Sequence, residues 1–137
     1  MLLVDTKVLV DVLQNDPLWA DWSIAQMRAQ AQLHALVINP VIYAEMSLCF
    51  STLEALDEVV GTLALELREM PRPALFLTAR AYAQYRRSGG NKLQALPDFF
   101  IGAHAAVEGW PLLTRDARRF RTYFPTLEVL APTAQTR

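Results

Sequence analysis

Four carboxylates stand where a folded chain does not ordinarily put them. Asp5 directly follows the apolar run Leu2-Leu3-Val4. Glu45 is flanked at minus four, minus three, plus three and plus four by Val41, Ile42, Leu48 and Cys49, so helical winding sets its carboxylate in an apolar stripe. Asp98 opens the almost wholly apolar stretch from Phe99 to Val107, and Asp116 comes just after Leu112-Leu113-Thr114. Each acid alone has an ordinary explanation. Asp5, Asp98 and Asp116 could cap a helix or serve the dipole of its first turn, and Glu45 could sit half exposed at a rim. Gathered near one apolar floor, the four would repel one another unless something positive sat among them. A hard divalent cation is the simplest such group, and oxygen ligands suit Mg²⁺ or Mn²⁺. Zinc is not expected, because the sequence holds one cysteine, Cys49, and its two histidines, His34 and His104, form no ligand constellation with it. Mg²⁺ keeps several waters and binds substrate phosphates, so these acids point to phosphodiester or phosphoryl chemistry.

The elements that would position them alternate in the manner of an α/β fold with a short, mostly parallel central sheet flanked by helices. Leu2–Val4, Leu36–Ile38, Pro111–Thr114 and Leu127–Leu130 read as strands. Helical spacing follows at Val8, Leu9, Val12 and Leu13, then from near Pro17 through Leu33, and from Pro40 to about Phe50. Leu53, Leu56, Val60, Leu63, Leu67 and Met70 step by three and four, predicting one long amphipathic helix ended by Pro71 and Pro73. Further helices are expected over 74–87, stopped by the turn Gly89-Gly90-Asn91-Lys92, and over 97–107 with Gly109 as C-cap. Asp5 and Asp116 then lie at the C-terminal ends of strands, the edge where open α/β sheets bind ligands. One domain over 1–130 with a tail at 131–137 is the expected organisation.

Composition narrows the function class. The 137 residues are 53% hydrophobic and 20% charged, which excludes a disordered chain and leaves an apolar surplus suited to a subunit interface. A net charge of -1 excludes a general polyanion-coating protein. No apolar run is long enough for a bilayer, no basic region precedes the first apolar run, and the lone cysteine suits a reducing cytoplasm. Of the 13 cations all but Lys7 and Lys92 are arginines, and Arg115, Arg118, Arg119 and Arg121 follow or flank Asp116. Arginine's planar fork suits phosphate.

The set Leu-Val-Asp-Thr at 3–6 with Val8-Leu9-Val10-Asp11, the helix-borne Glu45, Asp98 in Pro-Asp-Phe-Phe-Ile and Leu-Leu-Thr-Arg-Asp at 112–116 resembles the PIN domain, and most of all the toxin ribonucleases of the VapC type. The resemblance implies a Mg²⁺- or Mn²⁺-dependent endoribonuclease leaving a 5′-phosphate and a 3′-hydroxyl. It implies catalytic roles for Asp5, Glu45, Asp98 and Asp116, with Asp5, Asp98 and Asp116 on the metal and Thr114, Thr6 and Lys7 in support. Arg115, Arg118 and Arg119 would flank the RNA, and a homodimer and a blocking antitoxin are the implied partners. One position departs: Lys7 stands where the family usually has Asn or Ser. Pointing inward, Lys7 would compete with the cation and weaken or abolish activity, leaving a PIN-like module that binds RNA or a partner protein. Pointing outward, it would touch RNA phosphate. Lys7 also argues against an aspartyl phosphotransferase of the haloacid-dehalogenase type, which places a second Asp there.

Overall fold

In the computed structural model, which describes residues 1–133, the three residues of β1 (Leu2–Val4) are wholly buried at the middle of a parallel sheet. The other strands are β2 (Leu36–Ile38), β3 (Glu66–Leu67), β4 (Leu112–Leu113) and β5 (Val129–Leu130), in the spatial order β3-β2-β1-β4-β5. Leu3 pairs with Val37 on one side and Leu112 on the other. Strands covered by helices on both faces are apolar throughout, and this is why β1, β2 and β4 read as continuous hydrophobic runs. The chain moves outward from β1 to β2 and returns to the opposite side at β4. The C-terminal ends of β1 and β4 therefore border a crevice at the point where strand order reverses.

Helices α1 (Thr6–Leu13), α2 (Ala20–Ala31), α3 (Pro40–Met46), α4 (Leu53–Thr62), α5 (Arg72–Arg87), α6 (Leu96–Glu108) and α7 (Arg118–Tyr123) complete the described fold. Their ends have local causes. Asp16 Oδ1 accepts the amides of Leu18 and Trp19, each at 2.9 Å, which forms a turn and delays α2 to Ala20 rather than Pro17. Asn39 caps α3 by accepting the Ile42 amide, and Pro40 occupies its first turn. As expected, α6 ends at Gly109, in the left-handed region at φ 71°.

One expected element is corrected. The spacing from Leu53 to Met70 predicts a single helix, but α4 stops at Thr62 and β3 follows. The break is at Ala64, at φ 54°, with neither Gly nor Pro to mark it. Beyond it Leu65 is buried, and Glu66 and Leu67 pair with Val37 and Ile38, satisfying the β2 edge that a continued helix would leave bare. The strand expected over 127–130 is shortened to β5, and α7 is an added element. Of the expected tail, 131–133 carry no regular structure and 134–137 lie outside the described residues.

The core is held largely by α6, whose Phe99, Ile101, Ala103 and Ala105 are fully buried. His104 is also buried, with Nδ1 3.1 Å from Asn39 Nδ2 and its ring against Trp110, so it belongs to the core. At Gly102 a Cβ would collide with the Phe124 ring and press on Phe120. Gly102→Ala should therefore lower stability by about 1–3 kcal/mol, despite the roughly 1 kcal/mol that alanine gains over glycine in a helix. Urea unfolding measures this, and an unchanged or raised midpoint would mean that the two rings have room to give.

Candidate active site

Asp5 occupies the N-cap position of α1, with extended backbone at φ −63° and ψ 145°, yet its side chain makes no capping hydrogen bond. Its ordinary explanation is thereby removed. The carboxylate, 2% exposed, instead turns across the crevice, where Oδ2 accepts the Thr114 hydroxyl at 2.8 Å. Parallel pairing of Val4 with Leu113 brings Asp5 and Thr114 side by side just beyond the strands. Burial, reinforced by the charges of Asp98 and Glu45, raises the Asp5 carboxyl to about 7 against the opposing Thr114 bond and Lys7 charge.

The other acids arrive from separate elements. Asp98 lies in the first turn of α6, mostly buried, with Oδ2 2.7 Å from Arg119 Nη1. Burial raises its carboxyl too, with Lys7 and Arg119 opposing. Glu45, on α3, accepts the Thr6 hydroxyl at 2.6 Å, which orients it toward the start of α1. Asp116 is exposed; its amide donates to Thr114 Oγ1 at 3.1 Å, and its Oδ2 lies 3.3 Å from Lys7 Nζ. Lys7 is half exposed and reaches the rim of the crevice at Asp116, with its charge acting on Asp5 and Asp98 as well. Asp5, Thr6, Lys7, Glu45, Asp98, Thr114 and Asp116 are linked in this way around one crevice. A cleft of about 430 Å³ opens beside it, lined by Asp98, Asp116, Arg118, Arg119 and Tyr123.

Arg115 does not line that cleft. Its Nε stands 2.9 Å from Oδ2 of buried Asp11, with the guanidinium over Trp19. Burial raises the Asp11 carboxyl, and the Arg115 charge and a hydrogen bond from Ser23 offset part of that.

In donor chemistry the crevice fits a hard divalent cation. Its side-chain ligands are carboxylate and hydroxyl oxygens. Burial, more than mutual repulsion, raises the Asp5 and Asp98 carboxyls, so a cation there would meet carboxylates that are costly to leave charged and unpaired. Among the described residues no three Asp, Glu, His or Cys side chains are gathered closely enough to hold a metal ion. Asp98 leans to Arg119 and Asp116 to Lys7 instead.

A family profile described as "PIN domain" matches residues 2–124. The chain belongs to the PIN-domain family. Members of this family are generally nucleases, and the parallel sheet with flanking helices is its fold. Solved structures agree in fold with this PIN domain. VapBC2 from Rickettsia felis, bound to a DNA fragment from its promoter, superposes with a TM-score of 0.73 at 17% identity, over 96% of this chain and 98% of that one. DNA-bound VapBC from Salmonella typhimurium gives 0.70 at 21% identity, over 96% and 98%. VapBC-1 from nontypeable Haemophilus influenzae gives 0.71 at 14%, over 94% and 96%. No curated protein gives a significant match.

Sequence reasoning did not single out Tyr123 as a wall of the cleft of this PIN domain, nor the Asp98–Arg119 pair. The second had a signal, since an acid opening an apolar helix needs a cation. Tyr123 had none, because its place depends on how α7 turns against α6.

Proposed function

We propose that this PIN domain, over residues 1–130, is a Mg²⁺- or Mn²⁺-dependent endoribonuclease and the toxin of a toxin–antitoxin pair. The observation that carries the reading is the convergence on buried Asp5. An aspartate at a strand end, uninvolved in capping and held by Thr114, shares its crevice with acids from three other elements. Asp5, Asp98 and Asp116 would hold the metal, which when bound would activate water and steady the leaving oxygen of a phosphodiester. Thr114 holds Oδ2 of Asp5 and so fixes the carboxylate that would bind the ion, and Thr6 orients Glu45, which would accept a proton at the crevice edge. Arg118 and Arg119, on the cleft wall, meet the charge of an RNA backbone. Products with a 5′-phosphate and a 3′-hydroxyl follow from water attack at phosphorus with loss of the 3′ oxygen.

A structurally similar assembly, described as a toxin–antitoxin complex from Klebsiella pneumoniae, supports an antitoxin as partner here. Leu48, Leu53 and Phe76, exposed at 89%, 60% and 63%, offer apolar surface for that partner or for a homodimer. No helix among the described residues is long and apolar enough to cross a membrane, and the cytoplasm is the compartment we assign.

A second reading, a catalytically weak module that binds RNA or a partner protein, is favoured by the Lys7–Asp116 pair. Incubating antitoxin-free protein with a panel of RNAs in Mg²⁺, Mn²⁺ or EDTA separates the two. The nuclease reading expects cutting with either metal, none in EDTA, and a rate at least about 10³-fold lower for Asp98→Asn. RNA retained on the protein but uncut in every condition would give the lead to the binding module.

A further inference from the structure

Arg115 is flanked in sequence by two members of the acid crevice and points away from both. Thr114 is fully buried and donates to Asp5, and the Asp116 amide in turn donates to Thr114 Oγ1 at 3.1 Å. Between them Arg115 extends toward α1 and α2. There Asp11, only 2% exposed, lies 2.9 Å from its Nε, Trp19 lies beneath its guanidinium at 5.4 Å, and Ser23 donates to the same Asp11 oxygen at 3.1 Å. Asp5 and Asp11 belong to the cap and the second turn of one helix. The segment 114–116 is thus fastened to α1 at two points, through Thr114 to Asp5 and through Arg115 to Asp11.

We infer that the Asp11–Arg115 pair is a clamp that sets where Thr114 and Asp116 stand relative to Asp5, and that Arg115 is a positioning residue rather than an RNA contact. The inference rests on the nuclease reading for its catalytic consequence and on the contacts alone for its structural one. A buried carboxylate with one cationic neighbour at contact distance holds its partner tightly, because separating them would strand a charge away from water. Exposed pairs such as Lys7–Asp116 exert no comparable hold. The clamp also makes use of guanidinium geometry: the planar group covers Trp19 while its Nε lies 2.9 Å from Asp11 Oδ2 as an ion pair without an aligned hydrogen bond, and a lysine ammonium cannot do both. Partners of this kind, one layer behind the groups that would touch a metal, commonly change metal affinity by about 10–100-fold when removed.

The test uses the full chain with Arg115→Met, Arg115→Lys, Asp11→Asn and the Asp11→Asn/Arg115→Met double variant. Three readouts are taken: amide hydrogen exchange over 114–116, Mn²⁺ affinity by calorimetry, and kcat and KM on a cleaved RNA. A clamp expects faster exchange at the Asp116 amide, Mn²⁺ bound about tenfold more weakly, and a fall in kcat with KM and its salt dependence unchanged. Arg115→Lys should recover part of the loss, and the double variant should be no worse than the worse single one. An RNA contact expects the reverse: a raised KM, a salt slope smaller by about one charge, and exchange and Mn²⁺ affinity unchanged. That result, or losses that simply add in the double variant, would overturn the clamp. Hydrogen exchange decides the clamp even if the unaltered chain binds no Mn²⁺ and cuts no RNA, an outcome that would remove the nuclease reading alone. If Arg115→Met fails to fold, Arg115→Lys and the near-isosteric Asp11→Asn carry the same comparison.

Discussion

Asp5→Asn should melt about 5–10 °C above the unaltered chain in EDTA near pH 8, and should cut no RNA at any pH. The sign follows from the raised carboxyl. With a folded value of about 7 against 3.8 as the ordinary one, the folded protein holds a proton on Asp5 over a range where the unfolded chain has lost it. This favourable contribution is complete below the unfolded value and is lost as pH climbs through the folded one. Above neutrality the buried charge opposes folding by something on the order of 4 kcal/mol before relaxation. Asparagine removes the charge while its carbonyl oxygen still accepts the Thr114 hydroxyl. His104 acts in the opposite sense, since burial lowers its ring and its contribution is lost below the ordinary histidine value. It is common to both proteins, so the difference between them isolates Asp5. Adding Mn²⁺ near pH 8 should raise the melting temperature of the unaltered chain and leave that of the variant nearly still. Equal melting curves for the two proteins across pH 5–8 would mean that Asp5 is not a strained, buried charge.

Lys7→Asn should bind Mn²⁺ about tenfold more tightly, a gain of roughly 1.4 kcal/mol, and should cleave RNA faster. The ammonium lies 3.3 Å from Asp116 Oδ2, and its charge bears on Asp5 and Asp98. It thus already answers part of the negative potential that would draw a divalent ion, and engages one of the oxygens that would bind it. An asparagine amide satisfies the neighbouring acids by hydrogen bonding without competing as a charge. Calorimetry with Mn²⁺ and a fluorogenic RNA assay read the two effects. Unchanged affinity and rate would show that Lys7 swings clear of the ion when it binds.

Much of the acid crevice was legible because its members break local patterns. An aspartate ending a buried strand and an aspartate opening an apolar helix each conflict with burial, and the structure sets both beside Glu45 and Asp116. The stripe expected around Glu45, however, breaks where α3 ends at Met46 and leaves Leu48 exposed. The parallel sheet was legible because strands covered on both faces have no polar side. The β3 strand was not. Leucines at helical spacing run on across Ala64, and the deciding energy, backbone pairing to β2, comes from residues about 30 positions upstream. The direction of Arg115 was hidden for a similar reason. Next to Asp116 in sequence it looks like part of the groove, and only the packing of α1 against α2 shows that Asp11, Trp19 and Ser23 wait on the other side.

Asp5 and the hydroxyl that holds it are 109 residues apart, and so are Lys7 and Asp116. A ribosome delivers the N-terminal end first, so β1 and its aspartate emerge long before β4 and Thr114 exist to meet them. Pairing of β1 with β2 needs only the first third of the chain, but the other edge of β1 stays open until synthesis passes Leu113. A message cut or stalled upstream of that point releases polypeptide with Asp5 but neither Thr114 nor Asp116. Polypeptide that ends upstream of Thr114 therefore cannot hold Asp5 through its hydroxyl, and the acid cluster is assembled only after Asp116 has been made.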